Sequence, residues 1–300
     1  MKIPIIRFEK LPSFLNLTLL LAVCLAGSPS LFAKSTGIGA EDNVASIDQL
    51  VLVSKLQPTF ENFSIATRQS IATEAQNLSA KNISESGRNH LLSLNAMADT
   101  LLAPEAFRAQ VVSRLHSSLT QSDVKVLVSW YQSELGSKVK ALESDFRYAD
   151  HEDVDHFFQS LQTNPVSQGR LNQYRRLNTL SGSDRLLAMA LGSGRQYFVM
   201  GMSSTVQDES RYLLDRHTQE VNDEIVRQSN QLQNYLFSVV QYVFRSLSIS
   251  ELNAYVAHLN TTSSRKFVLS INDGLNHAIK QGGYTLGGSV GGQLYAVVKD

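Results

Sequence analysis

The segment DHEDVDH, at residues 150–156, is the densest group of potential metal ligands in the sequence. Histidine and carboxylate groups bind zinc and similar ions. A zinc-peptidase helix places two histidines four residues apart, whereas His151 and His156 are five apart and would point about 140° away from each other on a helix. His151 with Asp155, or Glu152 with His156, has i, i+4 spacing and could bind a metal with a third ligand from elsewhere. The alternative is a solvent-exposed acidic helix start, where carboxylates complement the helix dipole.

No other segment has the pattern of a catalytic or cofactor site. The sequence contains no G-x-S-x-G nucleophile elbow. Its single cysteine, Cys24, lies in a segment that we expect to be removed. The glycine-rich stretch at 281–292 follows a helical pattern, whereas a phosphate-binding loop precedes its helix. We therefore expect no cofactor, and binding is favoured over catalysis.

Arg170, Arg175 and Arg176, with Tyr174, form a small basic group that could meet anionic lipid or a carboxylate partner. The favoured interpretation is structural. Long arginine side chains cover apolar surface and pair with neighbouring carboxylates such as Asp184.

The stretch YFVM at 197–200, with Met189 and Met202, is soft and apolar. Methionine and aromatic residues at helical spacing usually belong to a core. They could also line a ligand groove between two halves of the protein.

The first residues have the pattern of a secretory signal. A basic start is followed by an apolar run at 15–27, which is shorter than the ~20 residues that span a bilayer. Cleavage after Ala33 would give a periplasmic chain that begins at Lys34. A retained anchor, or lipidation of Cys24, is the less favoured alternative.

Charge and hydropathy exclude several partners. The chain has 27 basic and 27 acidic residues, so its formal net charge is zero and no global field attracts nucleic acid. No later segment reaches transmembrane length, so no stable membrane insertion is expected after signal removal.

Sparse prolines and apolar residues at three- and four-residue spacing predict an all-α protein. The clearest helix start has Thr120 as N-cap and Asp123 three residues later. Leu119 before the cap and Val124 inside the helix can form a hydrophobic staple.

The same arrangement recurs 128 residues later. Ser248 and Glu251 form a capping box, and Leu247 and Leu252 form the staple pair. The correspondence continues after each helix. Ser133 and Thr261 are equivalent polar residues at which the helix breaks, and Lys138 and Lys266 are equivalent lysines. We interpret the recurrence as an internal duplication; the alternative is two unrelated amphipathic helices with good starts.

The predicted boundary between the two halves lies at Asn164-Pro165, because a residue before proline avoids helical backbone. Glycine costs ~1 kcal/mol in a helix interior relative to alanine, so the glycine-rich end is predicted to be a flexible tail. The predicted units are a signal peptide (1–33), a disordered start (34–46), two helical repeat domains (47–163 and 164–281) and the tail (282–300).

The first capped helix resembles a known bacterial family. Leu119-Thr120, Val124, Trp130-Tyr131, Ser133 and Gly136-Ser137-Lys138 are similar to the signature of domain of unknown function 2059, with Trp130 in place of a phenylalanine. In the second half Leu259 replaces the tyrosine and Ser264 the glycine. The resemblance implies an exported, all-helical protein and implies no activity.

The sequence thus predicts an exported, periplasmic, helical protein that acts by binding or in envelope maintenance. Its partner is not specified; an envelope protein or an apolar ligand is possible. One alternative is a metal-dependent hydrolase that uses the cluster around His151 and His156. Another is a carrier of an apolar ligand between the halves.

Overall fold

The structure, a computed structural model, describes residues 45–79, 94–206 and 208–294. Within these ranges all regular secondary structure is helical and no strand is present, which confirms the all-α prediction. The predicted signal peptide and most of the predicted disordered start lie outside the described residues. None of the helices in the described ranges combines the length and apolarity needed to cross a membrane.

Within each described range the helices are joined by short connections, with a 3₁₀ turn at Phe146–Tyr148, a π-helical turn at Met189–Ser193 and a further helical stretch at 94–101. Their bounds are α1 Ile47–Val53, α2 Gln57–Ser79, α3 Pro104–Ser118, α4 Gln121–Gln132, α5 Glu134–Asp145, α6 His151–Thr163, α7 Gln168–Leu180, α8 Ser183–Ala188, α9 Gly194–Ser203, α10 Asp208–Val243, α11 Ile249–Leu259 and α12 Thr262–Leu294.

The two predicted helix starts are both present. The Thr120 hydroxyl accepts from the backbone N–H of Asp123, whose carboxylate accepts in return from the backbone N–H of Thr120. Ser248 and Glu251 make the same reciprocal pair at the start of α11. These boxes satisfy backbone N–H groups that have no partner inside the helix.

One hydrophobic core extends through residues on both sides of the Asn164-Pro165 break. That break lies between α6 and α7, but helices from either side pack together: α12 lies along α3, and α9 packs on α2. The largest fully buried side chains are Tyr174, Phe60, Phe63, Phe107, Phe198 and Phe244.

The glycine-rich segment differs from the predicted flexible tail, because α12 continues through it to Leu294. The glycines bring two helix backbones together. A Cβ on Gly287 would lie 1.9 Å from the carbonyl oxygen of Phe198, and one on Gly291 would lie 2.5 Å from that of Met202. Close contact with α9 therefore outweighs the low helix propensity of glycine. Residues 295–300 lie outside the described ranges.

Candidate functional site

A cavity of about 100 Å³ lies between the two predicted halves. The first half contributes residues from the start of α2 and from α4 and α5, and the second half contributes residues from α7, α8, α10, α11 and α12. The cavity is small compared with an engineered apolar cavity of about 150 Å³ that binds benzene. Its size fits a compact molecule.

One wall of the cavity is polar and comes largely from α5. The Ser133 hydroxyl caps this helix by accepting from the backbone N–H of Gly136. Lys140 and Glu143 are three residues apart and so lie on one face of the helix. The Lys140 ammonium donates to one oxygen of Glu143, and the Tyr255 hydroxyl donates to the other at 3.2 Å.

Burial shifts the pKa values of the titratable side chains in this wall. It raises the pKa of the Glu143 carboxyl, which is only 4% exposed, although Lys140 and the Tyr255 hydroxyl act in the opposite direction. Burial also raises the pKa of the Tyr255 and Tyr131 phenols, and the negative charge of Glu143 adds to this. Both phenols are therefore protonated donors at neutral pH.

Asn272 contributes a polar atom that no other group satisfies. Its side chain lines the cavity and is 2% exposed, and its Oδ1 has no hydrogen-bond partner within the described residues. A buried acceptor without a partner costs free energy. Asn272 thus brings a buried acceptor without a protein partner to the edge of the cavity.

The rim of the cavity includes a residue with an uncommon backbone conformation. Lys55 has φ of 53° and lies between the lining residues Ser54 and Leu56. A residue with a side chain enters this left-handed region at a steric cost. The positive charge of Lys55 is close enough to act on Glu143.

The remaining wall is apolar and aromatic. Phe244 and Tyr255 meet edge to face at 5.6 Å, as do Tyr131 and Phe267 at 5.9 Å. Aliphatic side chains complete this wall: Leu56, Leu177, Leu186, Val240, Leu259, Val268 and Ile271. The cavity is therefore amphipathic, with an ion pair at one side and hydrocarbon at the other.

The acidic segment singled out in the sequence begins α6 and lies apart from the residues that line the cavity. Glu152, Asp155 and His156 are exposed, and Asp150 caps the helix by accepting from the backbone N–H of Glu152. The side chain of His151 is outside the description. Among the side chains that the structure describes, no three His, Cys, Asp or Glu residues come together as metal ligands.

The basic group has a structural position. Arg170 donates to the carbonyl oxygens of Phe244, Arg245 and Leu247, just beyond the C-terminal end of α10, and to the Tyr174 hydroxyl. A cation at a helix C-terminus satisfies free carbonyls and complements the dipole. Asp184, suggested as an arginine partner, instead accepts from Asn178.

The apolar stretch belongs mainly to the core. Phe198, Val199 and Met202 are fully buried, and Met189 is nearly so, whereas Met200 is partly exposed. None of these residues lines the cavity.

A buried charge network was missed by sequence reasoning. Glu74 is fully buried; its carboxylate contacts the Arg195 guanidinium at 2.9 Å and the His217 ring at 2.6 Å. Arg195 also reaches Glu224 at 3.0 Å. Burial would raise the pKa of Glu74, but His217 and Arg195 together lower it below its usual value. The network links α2, α9 and α10. Because its residues are far apart in the chain, no local sequence pattern indicates it.

These observations define an all-helical protein with an amphipathic cavity. Residues 105–151 match the model of a family described as an uncharacterized protein conserved in bacteria (DUF2059). The resemblance seen in the capped helix is therefore confirmed over this segment, which contains Tyr131, Lys140 and Glu143 of the cavity wall. Searches of curated proteins and of solved structures find no match.

Proposed function

We propose that this protein is exported to the periplasm and acts there by binding a small molecule in the cavity between its halves. The observation that supports binding is the cavity itself, which is lined by an ion pair, by protonated phenols and by Asn272, whose Oδ1 has no partner within the described residues. Such convergence of a few polar groups on a mostly apolar pocket is typical of ligand sites. The signal-like residues 1–33 support export. A role in envelope maintenance is compatible with export and with ligand binding.

We also propose that the halves arose by internal duplication, and contacts between them support this. Lys138 binds Glu251 at 2.7 Å, and Lys266 binds Asp123 at 2.9 Å. Lys138 and Lys266 are equivalent positions in the recurrence, as are Asp123 and Glu251. Each lysine thus reaches the other repeat's capping-box acid. Reciprocal contacts of this kind characterise an interface with two-fold symmetry.

The contact between Trp130 and His258 supports the same symmetry. These residues are 128 positions apart, so they are equivalent to each other. Their rings stack with centroids 3.8 Å apart and planes inclined by 1°. A residue meets its own equivalent only where the symmetry axis passes, so the proposed axis runs through this stack.

The proposed function can be tested with the mature chain recovered from a periplasmic extract. Its N-terminus should lie near Lys34; a cytoplasmic protein, or an N-terminus at lipid-modified Cys24, would contradict the proposed export. Trp130 is the single tryptophan, and it contacts the rings of Tyr131 and Tyr255, which line the cavity. Its fluorescence should therefore change when compact alcohols, amides, carboxylates, amines or amino acids enter.

A matched pair of variants assigns that signal to the cavity. Val268→Phe would fill the cavity and abolish both the fluorescence change and the ligand-induced rise in unfolding temperature. Leu269→Phe places the same ring at the next position, which is 53% exposed, and should bind as the parent does. If no class of compound gives a response, or if Val268→Phe responds fully, the cavity is not a ligand site.

A further inference from the structure

We propose that the ligand of the cavity is a small aliphatic amino acid, about the size of alanine, bound as its zwitterion. This inference rests on the proposed function and specifies the class of molecule bound. It follows from the charge balance of the cavity, from the unsatisfied oxygen of Asn272 and from the different contributions of the two halves.

The charge balance favours a ligand without net charge. Lys140 and Glu143 form a neutral pair whose side chains are only 12% and 6% exposed. A purely cationic or anionic ligand would leave one buried charge uncompensated, which is costly. A zwitterion can lie antiparallel to the pair, with its carboxylate beside Lys140 and its ammonium beside Glu143. Each charge of the ligand then meets an opposite charge.

The hydrogen-bonding groups fit the same orientation. The Lys140 ammonium has three N–H groups, of which Glu143 takes one, so donors remain for a carboxylate. The ligand ammonium also has three N–H groups, and the acceptors that the lining residues offer it are the Glu143 carboxylate and Oδ1 of Asn272, which has no partner within the described residues. A neutral alcohol would give the remaining N–H groups of Lys140 no anionic acceptor beyond Glu143.

The two halves contribute opposite chemistry at equivalent positions. Lys140 and Val268 are 128 positions apart, as are Glu143 and Ile271, and Tyr131 and Leu259. All six side chains line the cavity. The first half thus presents two charged groups and a phenol, and the second half presents hydrocarbon at the same three places. An α-amino acid has this division, with both charges at one end and an aliphatic side chain at the other.

The volume limits the length of that side chain. A cavity of about 100 Å³ is smaller than the one of about 150 Å³ that binds benzene. Alanine and 2-aminobutyrate are suitable probes, and phenylalanine serves as the oversized control.

Titration followed by Trp130 fluorescence and calorimetry tests the proposal on the mature chain. Alanine is compared with propionate, which lacks the ammonium; ethylamine, which lacks the carboxylate; and 1-propanol, which has neither charge. Alanine should bind at least about tenfold more tightly than each analogue, because propionate and ethylamine each bring one uncompensated charge into the cavity, and 1-propanol forms no charge-assisted contact with Lys140 or Glu143. Phenylalanine should not bind.

Variants test which cavity residues recognise the ligand. Glu143→Gln keeps the shape of the side chain and should weaken alanine binding by at least about tenfold. Asn272→Leu removes the Oδ1 acceptor and should also weaken alanine binding, independently of Glu143. Glu134→Gln, at an exposed position of the same helix, should leave it unchanged. Circular dichroism identifies any variant that fails to fold, and the other cavity variant then provides the result.

The outcomes separate this inference from the proposed function. If propionate, ethylamine or 1-propanol binds as tightly as alanine, the zwitterion is wrong while ligand binding stands. If Glu143→Gln and Asn272→Leu both bind alanine normally, recognition lies elsewhere and the inference is overturned. If no probe of any class changes the signal, both proposals fail.

Discussion

His258 occupies a position where its protonation bears on stability. Burial against Trp130 lowers its pKa to about 4, from an ordinary value of 6.5, and a nitrogen of the ring lies 3.0 Å from the Ser264 hydroxyl. At pH 7 the ring is neutral in both the folded and the unfolded chain. Below pH 6.5 the unfolded chain binds a proton that the folded chain does not, so acid favours unfolding.

We predict that this residue makes the protein less stable as the pH falls from 6.5 to 4. The expected loss is roughly 2–3 kcal/mol in the free energy of unfolding. His258→Phe keeps a ring on Trp130 but cannot titrate, so its stability should change less across that interval. Urea unfolding at pH 7, 5.5 and 4 measures both proteins; parallel curves for the two would contradict the assigned cause.

At the residue scale, the sequence predicted local interactions well. The capping boxes at Thr120 and Ser248 involve groups three residues apart, so the pattern contains all the information needed. Leu247 is fully buried as its role in a staple requires, and Leu119 is partly buried. The cavity escaped prediction because Glu143, Tyr255 and Asn272 are brought together only by tertiary packing.

The last part of helix α12, from residue 282, was predicted wrongly as a flexible tail. Its glycines were judged by intrinsic propensity, which disfavours a helix. In the fold, the same residues let α12 pack against the backbone of α9, an effect that depends on a partner about 90 residues away in the chain. Local propensity contains no information about that partner.

Two adjacent glycines of α12 should respond oppositely to alanine. Gly287→Ala would push a methyl group into the Phe198 carbonyl oxygen, and because backbone cannot move aside cheaply, we expect a loss of about 2 kcal/mol or more. At Gly288 the nearest atom to an added Cβ is 3.8 Å away, so alanine there should gain up to about 1 kcal/mol from helix propensity. Urea midpoints test the pair, and equal effects would argue against close packing of α9 and α12.

At the scale of the whole molecule, the proposed duplication predicts that the two sides of its axis are interchangeable. Trp130→His alone would place two histidines in the stack, and His258→Trp alone would place two tryptophans there. The double exchange restores one of each in equivalent surroundings. It should recover about 1 kcal/mol beyond the sum of the single effects.

Unfolding of the four proteins above pH 7, where the imidazole is neutral, measures this coupling. A double exchange no better than the sum of its single changes would mean that the surroundings of the two rings are not equivalent. The stack would then be an accidental contact between two unrelated helices.

If this chain descends from a fused pair of identical subunits, the difference between the two walls of the cavity has a further consequence. Two identical subunits would have to place the same side chain on both sides of the axis, so a lysine on one wall would always face a lysine on the other. Fusion into one polypeptide removes that obligation, because each gene segment can then mutate alone. The contrast between Lys140 and Val268 is what such freedom would produce: one wall is charged and the other is hydrocarbon, so the proposed ligand would fit in a single orientation.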